Sequence, residues 1–109
     1  MDIRVEKQGQ WAVLALDARL DVNSASELEK KGLELVASGE NSFILDMSQL
    51  NYISSAGLRS ILVIGKKAKA NGGQLVLCGL EGIVKEVFEM SGFDSFFKTY
   101  ETVQEVPSI

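Results

Sequence analysis

Two adjacent hydroxyls, Ser54 and Ser55, lie between the apolar run Phe43-Ile44-Leu45 and a helical pattern over residues 58–70. Serine in such a turn has three chemical uses: a nucleophile with a base beside it, a helix cap, or an acceptor for a group added by another enzyme. The chain has no histidine, so Ser–His and Cys–His nucleophilic machinery cannot be assembled within it, nor can a His-bearing zinc site. A nucleophile elbow wants Gly-x-Ser-x-Gly between strand and helix, and Ile53-Ser54-Ser55-Ala56-Gly57 lacks the first glycine. A phosphate-cradling loop, Gly-x-x-x-x-Gly-Lys-Ser/Thr, is also missing. The chain is therefore not expected to be an enzyme. What remains is capping of the following helix and modification by another enzyme. Ser55 suits the second use. Free N–H groups at a helix start tolerate an anion, while a phosphate of about −1.5 to −2 charges repels acidic groups of a docked partner.

Two other sets of reactive side chains read more plainly. Asp17, Asp21 and Asp46 fall at strand ends, where aspartate more often serves turns and caps than a metal; no metal or other cofactor is expected. Cys78 is the only cysteine, so no intramolecular disulfide forms. At the end of the run Leu75-Val76-Leu77 it reads as a buried thiol acting as a small hydrophobe.

The elements that position these groups follow from hydrophobic period. Residues 3–8 alternate apolar with polar and predict a half-buried edge strand; residues 11–16, apolar on both sides, predict a more central one. The glycine-bearing link Gln8-Gly9-Gln10 joins them as an antiparallel hairpin. After a link over residues 17–23, Ser24 and Glu27 form a predicted capping box for a helix that runs to about Val36 and stops at Gly39. Ala25, Leu28, Gly32, Leu35 and Val36 form its apolar face. A third strand over residues 42–46 leads through the serine turn into the second helix, whose inner face is Leu58, Ile61, Leu62, Gly65 and Ala68. Asn71-Gly72-Gly73 ends it. A fourth strand covers 74–78. A third helix presents Ile83, Val84, Val87 and Phe88 and ends at Ser91-Gly92. A last short strand is predicted over 96–100, with a helical turn at 102–105. Phe93, Phe96 and Phe97 are taken as core.

This order predicts an α/β fold: a mixed, mainly parallel sheet of four to five strands with an antiparallel N-terminal hairpin. Right-handed crossovers that step one way place all helices on one face and leave the other thinly covered. The 109 residues, 46% hydrophobic and 24% charged, fit a single domain over residues 1–109. With a net charge of -4 and only Lys66, Lys67 and Lys69 as a basic cluster, direct nucleic-acid binding is not expected. The longest apolar run, residues 61–65, is far short of the roughly 20 residues of a membrane helix. Met1-Asp2-Ile3-Arg4 lacks a signal-peptide layout, so a cytoplasmic location is expected.

Over nearly its whole length the chain resembles the STAS domain family in its small stand-alone form, the bacterial anti-sigma factor antagonist. The resemblance is carried by Asp17-Ala18-Arg19-Leu20-Asp21, Ile44-Leu45-Asp46-Met47-Ser48, Ile53-Ser54-Ser55-Ala56-Gly57-Leu58, the segment from Asn71-Gly72-Gly73 to Leu77, and Met90-Ser91-Gly92-Phe93. It implies partner switching. The unphosphorylated protein binds an anti-sigma factor, often a serine kinase of the GHKL type, and phosphorylation of a loop serine breaks that complex. A metal-dependent serine phosphatase restores it. The family's phosphoacceptor falls on Ser55. Ser54 stands where the family usually has Asp and is a rival acceptor; Ala18 replaces a usual Gly, and Arg59 takes a place that is often small. The partner surface is expected to include Asp21, Asn23 and Ser24 together with Ser54, Ser55, Ala56, Gly57 and Arg59. Two other classes of function stay open on sequence: a small-ligand or nucleotide-binding domain, and a scaffold subunit of a larger signalling complex.

Overall fold

Period-2 and period-3.6 patterns alternate along the chain, and the structure, a computed structural model that describes residues 2–109, turns them into one five-stranded sheet. Strands β1 (Ile3–Gln8), β2 (Trp11–Leu20), β3 (Ser42–Ile53), β4 (Gln74–Cys78) and β5 (Thr99–Tyr100) lie in the order β1-β2-β3-β4-β5. Only β1 and β2 are antiparallel, with Gln8 opposite Trp11 at the hairpin; the other neighbours are parallel. Helices α1 (Val22–Ala37), α2 (Ser55–Ala70) and α3 (Gly82–Ser91) make the crossovers.

All three helices pack on one face. Leu14, Leu16, Phe43, Leu45, Leu75 and Leu77 of the strands share a cluster with Leu28, Ile61, Ile64 and Phe88 of the helices. Gly32 of α1 permits the close approach of α2: a Cβ there would lie 2.5 Å from Ile64 Cδ1. Ile64, not Leu62, is the fully buried residue of that turn, and Ile83 is exposed at the start of α3.

The opposite face is better covered than expected. Trp11, Val13, Ile44, Val76 and Cys78 form a second cluster closed by Val106, with Val103 and Tyr100 against it. The segment that follows β5 holds its place through Trp11 Nε1, which donates to the Pro107 carbonyl at 2.9 Å, and Gln8 Nε2, which donates to that of Val103 at 3.2 Å. The last strand is two residues long, and Phe96 is exposed, because a 3-10 turn, Phe93–Ser95, occupies the residues before it.

The larger correction concerns the site. Residues 17–20 and 47–53 are not loops: β2 and β3 continue as a paired extension to Leu20 and Ile53. Its pairing steps from Ala15–Asp46 to Asp17–Gln49, and from Ala18–Leu50 to Arg19–Tyr52. Each step inserts one extra residue into β3, a bulge that resets which side chain faces the core. Burial along β3 therefore passes from Met47 to Leu50 to Ile53 at intervals of three.

Candidate functional site

The paired extension delivers two helix starts to one end of the sheet. Leu20 and Ile53 are register partners, and each is followed by a capping residue. After Leu20, Asp21 in extended conformation caps α1: its carboxylate accepts from the N–H of Asn23 at 3.1 Å and of Ser24 at 3.0 Å. The Ser24 hydroxyl accepts from the Asp21 N–H at 2.9 Å and lies 2.8 Å from the Arg19 carbonyl, to which it donates. The capping box is therefore Asp21–Ser24, not Ser24–Glu27. Because β2 continues to Leu20, the helix begins at Val22, and Ser24 is already inside its first turn. Ser24 N–H and O–H donors, followed by the Asn23 N–H and the Arg19 charge, hold the Asp21 carboxyl below its ordinary value.

After Ile53, Ser54 caps α2. Its hydroxyl accepts from the Gly57 N–H at 3.1 Å and donates to the Leu20 carbonyl at 3.0 Å, and its own N–H donates to that same carbonyl at 2.9 Å. Leu20 thus ties the two helix starts together. Gly57 makes the junction possible, since a Cβ there would sit 2.8 Å from Leu20 Cγ and 3.0 Å from Ile53 Cγ1. Behind the junction the Arg19 guanidinium lies 4.1 Å from the centre of the Tyr52 ring, a cation–π contact across the two strands. Ala18, in the bulged segment, has a positive φ of 59°, a conformation that favours glycine.

Of the residues expected at the partner surface, Asn23, Ser55 and Arg59 are exposed, Asp21, Ser54 and Ala56 are half-buried, and Ser24 and Gly57 are buried. The last two shape the junction and present no side chain to a partner. Ser55 occupies the first position of α2, and among the described residues no hydrogen bond engages its hydroxyl. It opens onto a groove between α1 and α2, where Val22, Ser26 and Lys30 face Ala56 and Arg59. Val22, two-thirds exposed, and the α1 residues of the groove were not expected from sequence; helical spacing from Asn23 was the available signal.

The three aspartates do not act together. Asp17 accepts from the Asp2 N–H at 2.9 Å, Asp46 from the Ser48 N–H at 3.0 Å, and Asp21 caps α1. Among the described residues no group of three or more metal-ligating side chains converges. Cys78, fully buried in the second cluster, has a thiol pushed up to about 12 by burial and by the neighbouring Asp46. No helix of the described residues is long and apolar enough to cross a membrane.

A five-stranded sheet with one antiparallel edge and helices on a single face defines a small α/β domain, here with an exposed serine at the second helix start. Residues 2–106 match the STAS domain model, and the chain belongs to that family. It is 39% identical over 97 residues to BtrV of Bordetella bronchiseptica, a protein assigned as an anti-sigma factor antagonist, covering 89% of this chain and 84% of that one. The fold superposes with a TM-score of 0.89 on an anti-sigma factor antagonist of Thermotoga maritima, at 23% identity over 94% of this chain and 89% of that one. It superposes at 0.76 on unphosphorylated SpoIIAA, an anti-sigma factor antagonist, at 17% identity over 95% and 92% of the two chains. With SpoIIAA of Bacillus in its phosphorylated form the score is 0.75 at 20% identity, over 95% of both chains.

Proposed function

We propose that this chain is an anti-sigma factor antagonist controlled by phosphorylation of Ser55, acting in the cytoplasm. Unphosphorylated, it binds an anti-sigma factor of the GHKL serine kinase type through the junction of the α1 and α2 starts, and the sigma factor held by that partner is released. The kinase's ATP supplies the switch. The Ser55 Oγ bonds to the γ-phosphorus as the bond to the β-phosphate oxygen breaks. ADP departs, and the hydroxyl proton passes to a base of the kinase. A metal-dependent serine phosphatase reverses the mark by hydrolysis. The BtrV relationship supports the antagonist role.

The observation that carries the choice of residue is the contrast between the two hydroxyls. That of Ser54 is occupied as both acceptor and donor, so a phosphate there would break the α2 cap and face the Leu20 carbonyl. That of Ser55 is exposed and can carry a phosphate without any change in the fold. Such an anion in the middle of a docking surface costs about 1–3 kcal/mol of coupling, which weakens binding roughly 5- to 150-fold.

The test uses the cognate kinase. Ser55→Ala keeps its binding and takes up no phosphate in an intact-mass assay with ATP, whereas Ser55→Glu binds more weakly by calorimetry. Full phosphorylation of Ser55→Ala would sink the assignment of the residue; unchanged binding by both Ser55→Glu and the phosphorylated wild type would sink the switch.

A further inference from the structure

Arg59 is a charged side chain of the groove to which the antagonist reading gives a place on the partner surface and nothing more. It lies four residues after Ser55 on α2, and both line the groove against α1. Side chains on a helix lean toward its N-terminus, so a residue at i+4 lies over the turn that carries residue i. Pairs of opposite charge at this spacing attract, and the order with the anion first is the favourable one. Arg59 is exposed and its guanidinium is uncommitted: among the described residues the ion pair is Lys7–Glu40, with Glu40 past the C-terminal end of α1. The remaining charges of the groove are Glu29, Lys30 and Glu34, all on α1. They lie seven, eight and twelve residues after Val22, the first residue of α1, whereas Arg59 lies four after Ser55, the first residue of α2. The first turn of α2 carries no acidic side chain. The α2 start thus offers position 55 a cation one turn further along its own helix and no carboxylate of its own turn.

We propose that Arg59 is the phosphate-positioning residue of this domain: it closes onto phosphoserine at position 55 as a two-pronged ion pair and turns the mark into the α1–α2 groove. The inference rests on phosphorylation of Ser55. Its consequence is that the modification does two things at once. It adds an anion, and it withdraws the one free guanidinium of the α2 start from any acidic group of the partner. Arginine fits this role better than lysine because its planar fork matches two phosphate oxygens.

The test installs phosphoserine at position 55 by genetic encoding, so that it depends on no kinase. Phosphorus NMR then follows the titration of the phosphate in wild type, Arg59→Gln and Arg59→Lys. In wild type the second ionisation falls below the ordinary value of about 6, because the guanidinium favours the dianion. Arg59→Gln raises it toward that value, short of it by what the free N–H groups of the α2 start contribute, and Arg59→Lys recovers part of the lowering that Arg59→Gln loses. Glu29→Gln and Glu34→Gln leave it in place. Equal titration of wild type and Arg59→Gln overturns the clamp. The clamp and the underlying switch fail separately: a lowered, Arg59-dependent ionisation in a phosphoprotein that still binds the anti-sigma factor at full strength would overturn the switch and leave the clamp standing.

Discussion

Helices α1 and α2 start side by side from paired strand ends, and their first turns are built in opposite ways. In α1 the cap is a carboxylate, Asp21, and the third residue, Ser24, turns its hydroxyl back onto the cap, so the turn is closed on itself. In α2 the cap is a neutral hydroxyl, Ser54, and the third residue, Gly57, has no side chain to return. The N–H of Ser54 therefore goes to the Leu20 carbonyl. The first residues differ in the same sense: α1 presents the apolar Val22 and α2 the free hydroxyl of Ser55. One helix start carries its own negative charge; the other is uncharged. Only the second can accept a new anion without like-charge repulsion from its cap, which is why the α2 start and not the neighbouring Asp21 segment suits the proposed switch at Ser55.

Making the two turns alike is the strongest way to break this contrast. Gly57→Ser would give α2 the residue type that closes α1, yet its Cβ would meet Leu20 Cγ at 2.8 Å in a buried setting. Overpacking of this kind costs about 1–3 kcal/mol, and a urea melt should show the unfolding free energy lowered by that amount and the midpoint lowered with it. A midpoint equal to wild type would mean that the junction yields easily and that Gly57 does not hold the helix start against Leu20.

Next in size is removal of the α2 cap. Ser54→Ala leaves the Gly57 N–H without its acceptor and should cost about 1 kcal/mol, with Ser55 still available to a kinase. If phosphate uptake in Ser54→Ala stops while the fold persists, Ser54 is the acceptor and the assignment of roles to the two hydroxyls is reversed. A smaller effect of opposite sign is expected in the strand that delivers Asp21. Ala18 pays for a φ of 59°, and Ala18→Gly should raise stability by about 0.5–1 kcal/mol, the relief of the left-handed strain less the added freedom of the unfolded chain.

The sequence showed the order of elements, the hairpin and the single helical face because each depends on a period that survives in the local pattern. It did not show where β2 and β3 end. The two bulges in β3 place Met47, Leu50 and Ile53 on the core at intervals of three, a spacing that matches neither a strand nor a turn, so residues 47–53 read as loop. The start of α1 was misplaced for a related reason: Asp21–Ser24 and Ser24–Glu27 both have capping spacing, and only the length of β2 decides between them. Coverage of the second sheet face by Val103 and Val106 was hidden because two valines in a polar tail have no period. At the site, Ser55 and Arg59 were legible as residues of one helix start. The occupation of the Ser54 hydroxyl was not, since its partner is the Leu20 carbonyl, 34 residues away.

The finest distinction between the two helix starts is their response to acid. Asp21 titrates and Ser54 does not. In the folded chain the Ser24 donors hold the Asp21 carboxyl below its ordinary value of 3.8, so the folded state binds its proton less readily than the unfolded state. The stabilisation is therefore fully present above pH 3.8 and is lost as pH falls from there through the lower folded value. Asp21→Asn retains a competent cap but has no proton to gain. Its stability should consequently decline less steeply than that of wild type below pH 3.8, while Ser54→Ala should run parallel to wild type throughout. Urea midpoints measured at successive pH values compare the three. Parallel curves for Asp21→Asn and wild type would show that the Ser24 donors do not favour the carboxylate in the folded state, and the contrast between a charged and an uncharged helix start would lose its electrostatic basis.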